Sequence, residues 1–322
     1  MSAINVAWWN LENLFDEVGA ARPPELAATL KNELKGWTVA VRDQKLDQLA
    51  SIIPRMFNAA GPDLLGVAEA ENETVLKLLA NRLAKPGRDY RVLSHASPDA
   101  RGIDVSFILD ENKLAASNPG HQVVNKRRAT RDLFWATFTV KANGAAFAAM
   151  ANHWPSRSGG QYESEPFRMM TAETASYVVS RLLSPSGGDP NLAILLMGDF
   201  NDEPFNRSMQ EYLLGLRDAE QVLNADSPEF LNLMWPLLSV EDPGTLRFDS
   251  TWNLLDQFLI SKAMLKANAG VKVQPGSVAI FRPQAIRKSN GEPRRFGRPA
   301  EPGFDPDGFS DHFPITLTLE AT

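Results

Sequence analysis

The run Leu192–Asp202, LAILLMGDFND, constrains this chain more than any other stretch. An uninterrupted apolar segment bounded by polar turn formers predicts a strand buried on both faces. Such a strand needs a sheet covered from both sides. Its polar residues then emerge at the C-terminal end, where open α/β sheets place their ligands. Asp199 and Asn201 stand two apart, so in extended backbone they point the same way and bring two oxygen donors into one volume. That pair suits a hard divalent cation or an attacking water. An Asp/Asn turn after a core strand reads equally well from the same residues. The other strand ends bear on the choice.

Residues 4–9 predict a strand that runs into Asn10, Leu11 and Glu12, which repeats the amide and acid two apart. A helix is expected over 41–59, with Leu46, Leu49, Ile53, Met56 and Phe57 at helical spacing. Residues 63–69 form a second apolar strand that exits at Glu69, and Asn72 is placed to cap a helix over 73–83. Glu71 reads as part of that cap. Two antiparallel pairs follow: 90–95 with 103–109, turning at Arg101 and Gly102, and 133–140 with 145–151, joined through Asn143 and Gly144. The last of these strands runs out into Asn152, His153, Trp154, Pro155, Ser156 and Arg157, a set of donors able to converge on one anion.

A helix over 165–183 should start at Ser164 and show Phe167, Met170, Thr174, Val178 and Leu182 on one face. A further helix is expected near 207–216, and 218–250 reads as a long irregular loop packed partly on itself. Residues 253–261 predict a strand with Asp256 inside an apolar segment. A buried aspartate is costly unless paired, so Asp256 needs a histidine or a metal. Residues 282–310 are too rich in proline and glycine for regular structure, and Asp311 and His312 precede a final strand over 315–319.

Hydrophobic residues make up 43% and charged residues 22%, as in an ordinary globular protein. No apolar run has membrane-spanning length, so stable membrane insertion is not expected. With no basic, apolar leader at the N-terminus the default compartment is the cytoplasm, although a secreted chain with its signal trimmed would read the same. The absence of cysteine removes thiolate ligands and cysteine nucleophiles. A net charge of −6 argues against a surface coated for nucleic acid. Against this stand two basic stretches, Lys126 to Arg131 and Arg282 to Arg298, able to steer a polyanion.

Taken together, WNLEN, VAEAEN, RGIDV, NHWPSR, GDFND, LLDQF and FSDHFPI, in this order and at strand ends, give a sequence that resembles the endonuclease/exonuclease/phosphatase superfamily over nearly its whole length. The resemblance implies one domain over 1–322, an α/β fold with a four-layer sandwich of two mixed sheets face to face and helices outside. It implies a hydrolase that uses Mg²⁺ or Mn²⁺. Asn10 and Glu12 match the first motif's amide and acid, Glu69 the principal metal ligand, and Asp311 the terminal acid, and these four are the expected metal-binding set. His153 and Asn201 match phosphate-contacting residues, Asp199 the residue that orients or deprotonates water, and Asp256 the residue that holds His312. Arg101 and Arg157 are expected as additional phosphate contacts. The superfamily's usual glutamine before the metal-binding glutamate is here Ala68. A nuclease on DNA or RNA is the leading expectation, with a small phosphoester or phospholipid headgroup as the alternative substrate. A non-catalytic binding protein on the same fold is a third reading. The chain is expected to be a monomer.

Overall fold

The computed structural model describes residues 1–322. Strands β1 (Ser2–Leu14), β2 (Leu64–Ala70), β3 (Tyr90–Ser94) and β4 (Asp104–Asp110) begin one sheet, with helices α1 (Pro24–Leu30), α2 (Val39–Ile52) and α3 (Glu73–Leu83) between them. A second sheet takes β5 (Leu114–Gln122), β6 (Leu133–Val140), β7 (Ala146–His153), β8 (Ile194–Asp199), β9 (Gly215–Leu216) and β10 (Phe230–Asn232), interrupted by α4 (Gln161–Leu182) and α5 (Ala219–Asn224). After a separate hairpin, β11 (Leu246–Phe248) and β12 (Thr251–Asn253), β13 (Asp256–Ser261) returns to the second sheet. Finally β14 (Val271–Val273), β15 (Ala279–Ile280) and β16 (Ile315–Ala321) complete the first. The first sheet runs β14-β16-β1-β2-β4-β3 with β15 on β16, and the second runs β5-β6-β7-β8-β13-β10-β9. Both are mixed: β1/β2 and β7/β8 are parallel, while β1/β16 and β8/β13 are antiparallel.

Four layers follow from the alternation of side chains along the strands. Val6 and Trp8 of β1 face Met197 of β8 and Phe258 of β13 in the core between the sheets. Ala7 and Trp9 point the other way, against Leu46 and Leu49 of α2 and Leu76 and Leu79 of α3. On the opposite side, Ile194 and Leu196 of β8 pack with Ala172, Ala175 and Val179 of α4. Because β8 is covered on both faces its apolar run has no period of two. One glycine is needed for this packing: a Cβ on Gly66 would lie 2.6 Å from Met197 Sδ and 2.7 Å from the Trp8 ring.

Several local expectations need correction. The helix at 41–59 is shorter, because Pro54 cannot continue an α-helix; α2 ends at Ile52 and a 3₁₀ turn covers Ile53–Arg55. Helix α4 starts at Gln161, so Ser164 lies inside its first turn and donates Oγ to Gly160 O. Its buried face is Arg168, Thr171, Ala172, Ala175, Val178 and Val179, leaving Met170 exposed. The small residues allow close approach to β8, and Arg168 is buried because Asp202 pairs with it at 2.8 Å. The helix near 207–216 is a single π turn, Ser208–Tyr212. Residues 218–250 hold α5, β10, a 3₁₀ turn and β11, with Met234 buried and Leu231, Leu233, Leu237 and Leu238 packed on the inter-sheet core. Strand β5 escaped prediction because it is polar, exposed and bulged, with Asn118 left-handed.

Candidate active site

The register of the sheets brings the polar strand ends together. His153 pairs with Asp199 across β7/β8, and Asp256 pairs with Asp199 across β8/β13, so three functional side chains stand at one level of the second sheet. From the first sheet, Asn10 and Glu69 leave the parallel ends of β1 and β2, and His312 lies just before β16 at the same end. Backbone bulges then aim the side chains. The β1/β2 register shifts between Asn10 and Leu14, the β2/β4 register shifts around Ala68 and Ala70, and Glu12, Asn13, Glu69 and Asn201 all have left-handed φ. Four non-glycine residues held this way at one end of the sandwich are a concentration of strain of the kind found at functional sites.

Asp199 is the hub. Its Oδ2 accepts from Asn10 Nδ2 at 3.1 Å and its Oδ1 accepts from the Asn201 amide at 3.0 Å. The same Oδ2 lies 3.7 Å from His153 Nε2 and 3.8 Å from His312 Nε2. Burial pushes the Asp199 carboxyl up to about 6, against the pull of the His312 charge. His312 is tied at Nδ1 to Asp256 Oδ2, 2.7 Å away, and Asp256 Oδ1 accepts Trp8 Nε1 at 2.9 Å. Both oxygens of the fully buried Asp256 are therefore used, as its burial requires. Burial alone would discharge His312, but the Asp256 and Asp199 carboxylates hold its pKa well above the ordinary histidine value. His153 goes the other way: burial and the charges of Arg131 and Arg101 keep it neutral, with its pKa well below the ordinary value. The site thus holds one cationic and one neutral imidazole across a common carboxylate oxygen.

A second cluster is anionic. Glu69 Oε2 accepts the Asn13 amide at 2.8 Å, while Oε1 lies 3.4 Å from Asn10 Nδ2 and 3.6 Å from His153 Nε2. Asp311 is pushed up to about 7 by burial and by the neighbouring Glu12 and Glu69 carboxylates. Glu69 and Asp311, both half-buried, with His153 beside Glu69 and no thiol in the chain, form an oxygen-rich donor set that fits a hard divalent cation. Asp199, Asp256 and His312 also lie close enough to share an ion. Since His312 Nδ1 and both Asp256 oxygens are already bonded, Glu69 and Asp311 are the better placed.

The expected placement of Glu12 needs revision. Its carboxylate accepts from Arg295 Nε at 2.8 Å, Phe296 N at 2.9 Å and Gly297 N at 3.1 Å, so it fastens the 295–297 loop. The two-residue alternation that placed it beside Asn10 fails where Glu12 and Asn13 turn left-handed. Arg157 needs the same revision. Its guanidinium donates to Asn201 O, Asn253 Oδ1, Asp202 Oδ1 and Asn206 Oδ1, so it clamps the turn after β8 and has little left for a phosphate. Asn201 donates Nδ2 to Trp154 O at 3.0 Å, which leaves one amide hydrogen for a ligand. Arg101 lies in the β3/β4 turn, near enough to lower the pKa of His153. Ala68 is buried in the inter-sheet core.

Two participants, Lys45 and Trp8, are not marked by the sequence, and a third, Arg131, reads there only as part of a basic surface stretch. Arg131 is buried, with Nε 3.7 Å from Asp99 and both Nε and Nη2 free of hydrogen-bond partners, and its charge bears on Glu69, Asp199 and His153. Lys45, fully buried in α2, donates to the Glu12 carbonyl, and burial lowers it to about 8. Trp8 holds Asp256. A lysine in a helix and an arginine in a basic stretch read as surface residues, and an indole in an apolar strand reads as core.

Comparison with known families matches residues 5–321 to the Endonuclease/Exonuclease/phosphatase family. The chain belongs to that family. No curated protein sequence matches it. Among solved structures, a mannosyl-6-phosphatase of Bacteroides thetaiotaomicron is 17% identical with a TM-score of 0.58, covering 98% of this chain and 99% of its own. The human Nocturnin catalytic domain with bound sulfate is 17% identical with a TM-score of 0.58, covering 99% and 94%. A truncated TDP2 of Caenorhabditis elegans is 15% identical with a TM-score of 0.56, covering 99% and 98%. At these identities the likeness extends to the fold, and family membership supports a hydrolase acting on phosphoester bonds. No helix is long and apolar enough to cross a membrane.

Proposed function

We propose that this family member hydrolyses a phosphoester by in-line attack of water, with a single Mg²⁺ or Mn²⁺ held by Glu69 and Asp311. The observation that carries the reading is the Asp256–His312–Asp199 line, in which a buried acid fixes an imidazolium whose far nitrogen faces a carboxylate of raised pKa. Asp199 Oδ2 receives the proton of the attacking water. An ion held by Glu69 and Asp311 would supply positive charge to offset that of the phosphate. His312 Nε2 donates to a phosphate oxygen as charge grows on it, the free amide hydrogen of Asn201 orients the phosphate, and Asn10, whose amide faces Asp199 and Glu69, holds those two carboxylates in place. Arg131 and Arg101 add positive charge on the His153 side, where Arg131 has two buried donor nitrogens to offer.

The substrate reading shifts from long nucleic acid towards a small or terminal phosphoester. Most of the 282–298 basic stretch is engaged internally: Arg294 pairs with Asp305, Arg295 with Glu12, Arg298 with Glu33 and Glu301, and Lys288 with Glu292, while Arg282 donates to the Asp242 and Glu241 carbonyls and Arg287 has no acidic partner. A paired guanidinium contributes little to polyanion steering. The nuclease reading keeps one specific support, the exposed Arg127 and Arg128 leading towards Arg131. Hydrolysis of bis(p-nitrophenyl) phosphate, p-nitrophenyl phosphate, single-stranded DNA and RNA, each with EDTA, Mg²⁺ and Mn²⁺, separates the readings. Metal-dependent turnover lost in His312→Ala supports the mechanism. Cleavage of the polymers faster than of both small esters would return the substrate to nucleic acid, and full activity of His312→Ala or in EDTA would defeat the mechanism.

A further inference from the structure

We infer that His95, His121 and Asp132 form a second metal site, separate from the hydrolytic centre, which takes a transition-metal ion of the Zn²⁺ class. The three residues come from different elements. His95 follows β3 at the edge of the first sheet, His121 lies in β5 at the edge of the second, and Asp132 heads β6. Their ligand atoms lie within 4.8 Å of one another. His95 Nε2 stands 2.9 Å from Asp132 Oδ2, and the His95 and His121 rings stack with centroids 3.8 Å apart and planes 18° apart.

A plain ion pair accounts for only part of this. One imidazole satisfies one carboxylate oxygen, whereas Asp132 Oδ1 is buried with no partner, on a side chain 3% exposed. The stacked second imidazole makes no hydrogen bond to that carboxylate. Two imidazoles and one carboxylate make a nitrogen-rich set, which suits Zn²⁺ and its neighbours and not Mg²⁺, which favours oxygen. With Zn–N and Zn–O bonds of about 2.0–2.2 Å, ligands on a tetrahedral ion lie about 3.3–3.5 Å apart, so small side-chain rotations would gather these atoms. His121 is exposed, which leaves an entry path and room for a water as fourth ligand.

The consequence is mechanical. An ion here ties the edge of one sheet to the edge of the other and fixes the start of the loop that carries Asp99 and Arg101. It also fixes Asp132, the neighbour of Arg131, and so secures the cationic side of the hydrolytic centre from outside.

The test uses the full chain stripped with EDTA and dialysed, then titrated with Zn²⁺ under excess Mg²⁺ by calorimetry, with thermal melts alongside. Wild type is compared with His121→Ala, Asp132→Asn and Glu69→Gln. Loss of even an outer-shell partner costs metal sites about 10–100-fold in affinity, so losing a ligand should weaken Zn²⁺ binding at least about tenfold. The expected result is one Zn²⁺ equivalent in wild type and in Glu69→Gln, weakened in the other two, with Zn²⁺ raising the melting temperature of Glu69→Gln but not of His121→Ala. His121 is at the surface, so its variant folds and remains informative even if Asp132→Asn does not. Zn²⁺ binding unchanged in His121→Ala, or abolished in Glu69→Gln, overturns the assignment.

Discussion

Asp256→Asn isolates the contribution of the buried acid behind His312. The substitution keeps the side-chain volume and leaves an amide oxygen for Trp8 Nε1, now bonded at 2.9 Å. It replaces the carboxylate oxygen 2.7 Å from His312 Nδ1 by an NH₂ group. Two donors cannot share that contact, so His312 must give up the Nδ1 proton, and with Asp256 no longer countering burial the imidazolium is disfavoured. A hydrogen bond to a charged group is worth about 1.5–3 kcal/mol, which as lost transition-state stabilisation is about 10–150-fold in kcat/KM. The loss must also depend on pH. A histidine that has become harder to protonate is restored by acid, so the deficit should be smaller near about pH 6 than near about pH 8. Rates on bis(p-nitrophenyl) phosphate across that range, with a thermal melt to show that the variant is folded, read both numbers. An unchanged rate, or a deficit of equal size at every pH, would refute the electrostatic role given to Asp256.

Wild-type activity should fall as pH drops through about 6, because Asp199 must be ionised to take a proton and its pKa is raised to about that value. Asn10→Ala removes a donor that stabilises the carboxylate, so this acid limb should move to higher pH; a limb that stays put would exclude Asn10 from this role. Glu69→Gln should weaken Mn²⁺ binding at least about tenfold in calorimetry, whereas Glu12→Gln should bind Mn²⁺ nearly as well while losing about 1–3 kcal/mol of stability from its three loop contacts; the reverse order would restore Glu12 as a ligand. Lys45 titrates near 8 in the folded chain against an ordinary 10.5, so the unfolded state binds the extra proton between those values and stability rises with pH across that window. In denaturant titrations with EDTA, wild type should gain about 3 kcal/mol relative to Lys45→Met between about pH 8 and about pH 10.5; a constant difference would contradict the burial of a charged lysine.

How far the sequence spoke for the fold depended on whether a residue's neighbours were implied by local pattern. The double-sided burial of β8 was legible because an apolar run without alternation needs cover on both faces, and α4 and the first sheet supply it. The partner of Asp256 was legible as a necessity of burial. By contrast, the alternation rule that placed Asn10 and Glu12 together holds only while the backbone stays extended, and nothing in WNLEN shows that Glu12 and Asn13 are left-handed. Arg157 was misplaced for a related reason: an arginine after a strand end serves a ligand or a neighbouring turn with the same donors, and only the fold brings Asn253 and Asn206 to it.

These failures share a physical basis that also explains why the site works. The bulges at Glu12, Asn13 and Glu69 are unfavourable for L-residues and persist only where the surroundings over-determine them. Glu12, by gripping Arg295, Phe296 and Gly297 while its own carbonyl is held by buried Lys45, is such a determinant for the end of β1. Arg157 performs the same task for the turn after β8, holding the Asn201 carbonyl and Asp202. The two misread residues are thus the supports that hold Asn10 and Asp199 in place before any phosphate arrives. A hydrolase that must oppose two like-charged reactants gains most from groups fixed in advance, because donors already oriented need no reorganisation as charge develops.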